Sequence, residues 1–439
     1  MGTIIDLSIE RITLDASKNS IGVDYGPLFQ DGDLTRHWPK EASHGWFLDR
    51  QDEGEAAFAR PLSRVLRRLD LLGHTLEGAR AEYEDLVRQM AEFEEDEDPP
   101  PSYMSFEEFS AFCCRYPVAT LSHATIDFDE SDRDRLAQGR FSTLGDEIDR
   151  IPRDIDRTDA YWSEASFFGN RIFVLSAYSM MQVLGQSEAN ADAVVMWLFG
   201  ALCDSGWEDA TSFVPGARRE QTLLIATEGT TDSRIVRRAL EVLQPEVADF
   251  FRFIDVDERH PFWGTGNLVK FAEGLVRIDV QNKVIFLLDN DSEGVDAFRR
   301  LQSLGMPGNM RAMLLPRQES LASFLARGPG GVETCDINGR AAAIECYLDL
   351  DLPGLPPPQV VWSNYKRDAD TWQGALEHKE SYMRHFLNQS DEALREDSYD
   401  TSKLEAVLTA LLQEATSLAY GSAPSMKSDL PGGPSGLTT

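Results

Sequence analysis

The chain opens on two short runs in which apolar and polar positions alternate, Ile5, Leu7 and Ile9, then Ile12 and Leu14. That period of two predicts a pair of half-buried strands. A Gly- and Asp-rich stretch from Lys18 to Gly45 then predicts loops and irregular sheet. From Gly54 the spacing changes, with Ala57, Leu62, Val65, Leu66, Leu69 and Leu72 recurring at helical intervals and the helical pattern running to about Met90. The run Glu92–Pro101 (EFEEDEDPPP) ends it as a solvated acidic, Pro-rich loop. Ser105 followed by Glu108 forms a capping box that opens a short helix through Cys114. Val118–Phe128 reads as extended, and two apolar helices are expected at roughly Ser163–Leu184 and Ala189–Cys203.

After Pro215-Gly216 the texture becomes regular. Short apolar runs at Thr222–Thr227, Phe250–Val256, Lys283–Leu288 and Met310–Leu315 alternate with helical patterns at Ser233–Leu243, Gly266–Arg277 and Gly294–Leu304. Strand and helix alternating at this interval imply right-handed crossovers and a parallel sheet covered by helices. The organisation expected is an α+β region over 1–215, an α/β domain with a four-stranded parallel sheet over 217–330, and a mostly helical extension over 331–420. Its helices are placed at Arg340–Leu348, Thr371–Leu387 and Lys403–Tyr420. Residues 421–439 are too poor in apolar side chains to pack and read as a disordered tail.

Composition narrows the class. With 439 residues, 42% hydrophobic and 26% charged, the chain is long enough for several packed domains and too apolar for wholesale disorder. No run approaches a membrane span, and the first fifteen residues lack the features of a secretory signal. Cys113, Cys114, Cys203, Cys335 and Cys346 are few, odd in number and form no C-x-x-C, which points to reduced thiols and a cytoplasmic location rather than zinc or a disulfide framework. The balance of 42 basic against 74 acidic side chains, a net charge of −32, repels nucleic acid as a whole. A nucleic-acid role therefore requires a local basic groove, divalent cations at an acidic site, or a partner.

The acidic residues that matter lie at strand ends. In open parallel sheets functional groups collect beyond the carboxyl ends of the strands. The first strand runs into Glu228-Gly-Thr-Thr-Asp232, the third into Asp289-Asn-Asp291-Ser-Glu293-Gly. Asp289 and Asp291 share a side if extended, and Glu228 sits on a neighbouring strand. Clustered carboxylates of this kind suit Mg²⁺ or Mn²⁺ and metal-dependent phosphodiester chemistry. Each also has a plainer reading: Asp232 as a helix cap, Glu293 as a helix-start acid, Asp-x-Asp as a solvated turn. Their strength is in combination.

The segment Thr222 to about Pro316 resembles the Toprim domain of topoisomerases, bacterial primases, recombination-repair proteins and overcoming-lysogenization-defect nucleases. The resemblance implies a catalytic and ligating role for Glu228, metal ligation by Asp289 and Asp291, a further ligand in Asp232, and two ions. It also implies a later lysine, for which Lys379 is the candidate, able to offset charge on a phosphate; Glu345 and Glu293 are additional acidic candidates. The amino-terminal region, with KNSIGVDYGPLFQDGD from Lys18 to Asp33, resembles the HEPN/Toprim-associated N-terminal domain of bacterial proteins, which implies a phage-defence setting. Arg68 and His74 also meet the Arg-x4–6-His spacing of a HEPN ribonuclease, with Gly73 interrupting the helix.

No G-x-x-x-x-G-K-[ST] occurs, since Gly264–Lys270 lacks the required ending, so nucleotide control implies a separate ATPase or sensor partner. There is no H-E-x-x-H or G-x-S-x-G, and nothing marks a topoisomerase tyrosine or a primase zinc module. The reading is a metal-dependent nuclease of an anti-phage system, acting on DNA in preference to RNA, with a second copy of the chain as another partner. The alternatives are an RNA-cleaving Toprim enzyme or toxin and a non-catalytic sensor or assembly subunit.

Overall fold

The computed structural model describes residues 2–37, 55–93, 102–126, 132–153, 161–254, 264–366, 371–396 and 398–422. Most of the acidic Pro-rich run, the end of the Lys18–Gly45 stretch, Phe128, Val256 and the tail beyond Ser422 lie outside them. The described residues fall into two compact units, 2–217 and 218–422.

The first unit is built on a five-stranded sheet of β1 (Ile4–Ile9), β2 (Ile12–Lys18), β3 (Leu34–His37), β4 (Glu55–Pro61) and β5 (Val194–Leu198), ordered β2-β1-β5-β4-β3 with every neighbour antiparallel. Its helices are α1 (Leu62–Leu72), α2 (Leu76–Phe93), α3 (Phe106–Arg115), α4 (Arg133–Gln138), α5 (Gly145–Ile148), α6 (Glu164–Ile172), α7 (Ala177–Leu184) and α8 (Gly200–Asp204). The two opening strands and the Ser105–Glu108 capping box form as the pattern predicts.

Four expectations change. Ala57 and Phe58 belong to β4, and helix begins only at Leu62. The expected helix 189–203 contains β5, because Val-Val-Met-Trp-Leu is β-branched and aromatic and takes the central place in the sheet. The helix expected over 163–184 is two, since Ser163 and Ser176 each cap a separate helix. The Val118–Phe128 stretch holds a single 3-10 turn, Val118–Thr120, and no strand among its described residues.

The second unit contains β6 (Leu223–Thr227), α9 (Thr230–Leu243), β7 (Phe251–Phe253), α10 (Thr265–Arg277), β8 (Lys283–Leu288), β9 (Asn290–Asp291), α11 (Ser292–Ser303) and β10 (Met310–Leu314). The order β10-β8-β6-β7 is parallel throughout, the four-stranded parallel sheet that the alternating pattern predicts. Strands β6 and β8 are buried along nearly their whole length, as a sheet covered on both faces requires. α10 and α11 pack on one face through Leu268, Ala272, Ala297 and Leu301. The order also fixes where a site belongs. The crossover from β6 goes to one side and the return to β8 to the other, which opens a crevice between the carboxyl ends of β6 and β8.

The remainder of the unit is not mostly helical. Strands β11 (Phe324–Gly328), β12 (Gly331–Cys335), β14 (Gln359–Lys366) and β15 (Thr371–Leu376) form a second sheet, β12-β11-β14-β15. The short β13 (Ala341–Ala342) pairs with β9. Helix follows only in α12 (Lys379–Leu387), α13 (Asp391–Arg395) and α14 (Ser402–Ser422). The helix expected over 340–348 is β13 and a 3-10 turn, Ile344–Tyr347. The one expected over 371–387 is β15 and α12, divided at His378 with φ 59°.

Ile285 faces Ile225 in the central strand pair and is fully buried. Ile285→Ala is expected to cost about 2–5 kcal/mol in urea denaturation; a loss below about 0.5 kcal/mol contradicts this placement.

Candidate active site

The crevice between β6 and β8 is where the acidic residues converge. β6 ends at Thr227, so Glu228 stands at its carboxyl end and Gly229 caps α9. Asp232 folds back from the first turn of α9 and accepts from the Gly229 N–H at 2.9 Å. β8 ends at Leu288, and the Asp289 N–H donates to Glu228 Oε1 at 3.1 Å. One backbone amide thus ties together the two strand ends.

Asp289 and Asp291 are held differently. Asp289 Oδ1 accepts from the Ile344 N–H at 3.0 Å, a donor placed by the pairing of β13 with β9. Asp291 caps α11, its Oδ1 accepting from the Glu293 and Gly294 amides at 2.9 and 2.7 Å. Its Oδ2 accepts from Gln373 Nε2 at 2.6 Å, and Gln373 Oε1 accepts in turn from the Ser292 hydroxyl. Gly294 makes the turn possible. A Cβ there would lie 2.0 Å from the Asp289 carbonyl oxygen and 3.2 Å from Glu228 Oε1, so only glycine lets α11 approach so closely.

The rim carries the remaining candidates. Glu345 is buried in the turn after β13, and Lys379 Nζ lies 3.9 Å from its Oε1 at the start of α12. Glu293 is exposed and pairs with Lys366 Nζ at 3.2 Å. All seven candidates of the second unit therefore surround one crevice. Sequence reasoning missed Gly294, Gln373, Lys366 and the Ile344 amide. A glycine opening a helix was a usable signal; a glutamine in a strand and a backbone N–H carry none. An open groove of about 650 Å³ between α10 and α11, lined by Gly264, Thr265, Lys270 and Arg300 among others, shares Glu293 with this cluster.

The electrostatics follow from crowding. Burial pushes the Glu228 carboxyl up to about 8, reinforced by Asp291 and Asp232. Burial likewise raises Asp232 to about 7, with Glu345 adding to the rise and the Gly229 amide and Lys379 opposing it. Asp289 is raised well above its ordinary value, by burial first and then by Asp232, Glu228, Asp291 and Glu345. Like charges confined together favour the protonated form; a cation removes that penalty.

The donor set fits a hard divalent ion. Every candidate ligand is a carboxylate oxygen, and Glu228, Asp232 and Asp289 each use one oxygen in the bonds above, leaving the other outside any hydrogen bond among the described residues. Among those residues no three His, Cys, Asp or Glu side chains close around one point. Mg²⁺ prefers oxygen donors of this kind and completes its shell with water and substrate phosphate.

The Arg68–His74 pair is placed otherwise. Arg68 is fully buried, its Nε donating to the Pro27 carbonyl at 2.7 Å. The His74 ring lies against Tyr178 with centroids 4.2 Å apart, and burial lowers its pKa to about 4. Gly73, at φ 91°, ends α1 between them. These side chains pack the first unit.

Raised carboxyl pKa values mean that the folded chain holds protons which the unfolded chain releases. Their contribution to stability is therefore full below about pH 4 and is lost as pH rises through about 7–8. Asp289→Asn keeps an acceptor for the Ile344 amide and removes one charge. Calorimetric melting of the metal-free protein should show a gain of about 2–4 °C at pH 8.5 and little at pH 5.5. A variant that melts no higher than wild type at pH 8.5 contradicts the crowding.

Comparison with known families gives one match: the model of HEPN/Toprim N-terminal domain 1 covers residues 1–221. No curated protein and no solved structure matches the chain. The chain belongs to the HEPN/Toprim N-terminal domain 1 family.

Proposed function

We propose that this member of the HEPN/Toprim N-terminal domain 1 family is a divalent-cation-dependent nuclease of a defence system, that its second unit is a Toprim-type catalytic unit, and that DNA is its preferred substrate. The observation that carries the reading is the crevice itself. Glu228, Asp232 and Asp289 converge where two adjacent parallel strands end, and burial together with one another's charge, added to by Asp291 and Glu345, holds all three carboxyls above their ordinary range. The family match supports the nuclease-related, defence-type part of the reading; the Toprim assignment rests on the strand order and on the positions of Glu228, Asp289 and Asp291.

In this reading Asp289 and Asp291 hold the principal ion, Glu228 contributes an oxygen, and Asp232 supports a second. A bound Mg²⁺ or Mn²⁺ supplies charge stabilisation for a phosphoryl group and lowers the pKa of water. The protein's own part is to orient and to move a proton. Glu228, tied to the Asp289 amide, would be ionised beside a bound cation and so placed to accept a proton from water. Lys379, its Nζ 3.9 Å from Glu345 Oε1, brings a cation to the rim, where it offsets charge on a phosphate. The net charge of −32 makes the ion and Lys379 the local attraction for a polyanion.

Full-length protein incubated with plasmid, linear and single-stranded DNA and RNA, at low salt in Mg²⁺ or Mn²⁺, tests this. Wild type should cleave DNA, Asp289→Asn should lose at least about 100-fold, and Lys379→Met about 10- to 100-fold without losing Mn²⁺ binding. Cleavage of RNA alone would replace the substrate. Asp289→Asn cleaving as fast as wild type would remove the chemistry from this crevice.

A further inference from the structure

Strands β14 and β15 pair with one irregularity. Val360, Val361 and Trp362 stand opposite Leu376, Ala375 and Gly374, yet Gln373 stands opposite Asn364, Trp372 opposite Tyr365 and Thr371 opposite Lys366. Ser363 is the extra residue of a β-bulge, and its Oγ donates to the Gln373 carbonyl at 3.2 Å. The Tyr365–Trp372 ring pair, with centroids 5.4 Å apart, braces the shifted register.

Burial shows what the bulge changes. Val360, Trp362, Gly374 and Leu376 are buried on one face. Trp362 fills the space that a Cβ on Gly374 or Gly328 would need, and the Arg340 guanidinium lies 4.6 Å from its ring centroid. Side chains alternate along a strand, so an unbroken register would put Asn364 and Lys366 on that buried face with Trp362. The bulge places them instead on the face of Gln373. From there Lys366 reaches Glu293, and Gln373 spans the Ser292 hydroxyl and Asp291 Oδ2.

We propose that the Ser363 bulge is a positioning device for the acidic site, aligning the β14–β15 hairpin so that Gln373 fixes the orientation of the Asp291 carboxylate, with Lys366 beside it neutralising Glu293. Gln373 is a positioning residue. The two α11 amides hold only Oδ1 of Asp291, and the Gln373 amide holds the other oxygen, which would present to a cation. The proposal rests on the cation reading above. Outer-shell partners of this kind typically govern affinity by 10- to 100-fold.

The test titrates Mn²⁺ calorimetrically into the full-length wild type and Gln373→Leu, and follows metal-free melting and amide exchange at Glu293 and Gly294. Gln373→Leu should weaken Mn²⁺ binding by about 10- to 100-fold with the metal-free melting temperature within about 2 °C of wild type. The two amides should exchange at least about 10 times faster, because their acceptor is no longer fixed. Deleting Ser363 should give the same losses. Should that deletion not fold, Gln373→Met, which keeps the length of the side chain and removes both its donor and its acceptor, takes its place with the same expectation. Equal Mn²⁺ affinity in wild type and Gln373→Leu overturns the role of Gln373 and leaves the cation site standing. Absence of Mn²⁺ binding in wild type defeats the cation reading and this proposal with it. Unchanged amide exchange defeats the clamp itself.

Discussion

Repulsion among carboxylates confined between two parallel strand ends is the constraint to which the second unit answers. The order β10-β8-β6-β7 brings the ends of β6 and β8 together, and the chain then places Glu228 on one and Asp289 and Asp291 on the other. Left alone, such groups would push the strand ends apart or take up protons. Backbone amides hold them instead: the Asp289 N–H on Glu228, the Ile344 N–H on Asp289, the first turn of α11 on Asp291 and the Gly229 N–H on Asp232. Much of the surrounding structure follows from that need. Gly294 is small so that α11 can start against the Asp289 carbonyl. β13 pairs with β9 and thereby delivers the Ile344 amide, and the second sheet delivers Gln373.

How far this could be read in advance differs along the chain. The parallel sheet was legible because strands buried on both faces are written as continuous apolar runs, TLLIAT and KVIFLL, separated by helical patterns. The acidic motifs were legible because each falls one residue beyond such a run. The C-terminal sheet was not. Its strand β14 changes face at Ser363, so the period of two that marks a strand is broken where it was needed. Thr371–Leu376 also runs almost directly into α12, which let helical spacing absorb it. β5 was lost for a related reason: its five residues sit between a 3-10 turn and α8, and apolar residues at short spacing do not distinguish a buried strand from a helix.

The first unit shows the complementary failure, a motif without a site. Arg68 and His74 have the spacing of a ribonuclease pair, yet spacing says nothing about which way a helix faces. Arg68 is buried against the Pro27 carbonyl, and His74, which follows the end of α1 at Gly73, lies against Tyr178. In the second unit the same kind of short motif gained force because strand topology gave an independent reason for Glu228 and Asp289 to meet. The family match covers the first unit and the sequence just beyond it, so the chemistry assigned to the second unit stands on geometry.

The central claim is that Glu228 sits among like charges in a crevice that a divalent ion completes. Carbon-detected NMR titration of the side-chain carboxyl of Glu228 in the metal-free full-length protein measures this directly. The account requires an apparent pKa near the value of about 8 that the structure gives, moving sharply downward when Mg²⁺ is added. Titration near the ordinary glutamate value of about 4.3, with no response to Mg²⁺, would contradict it.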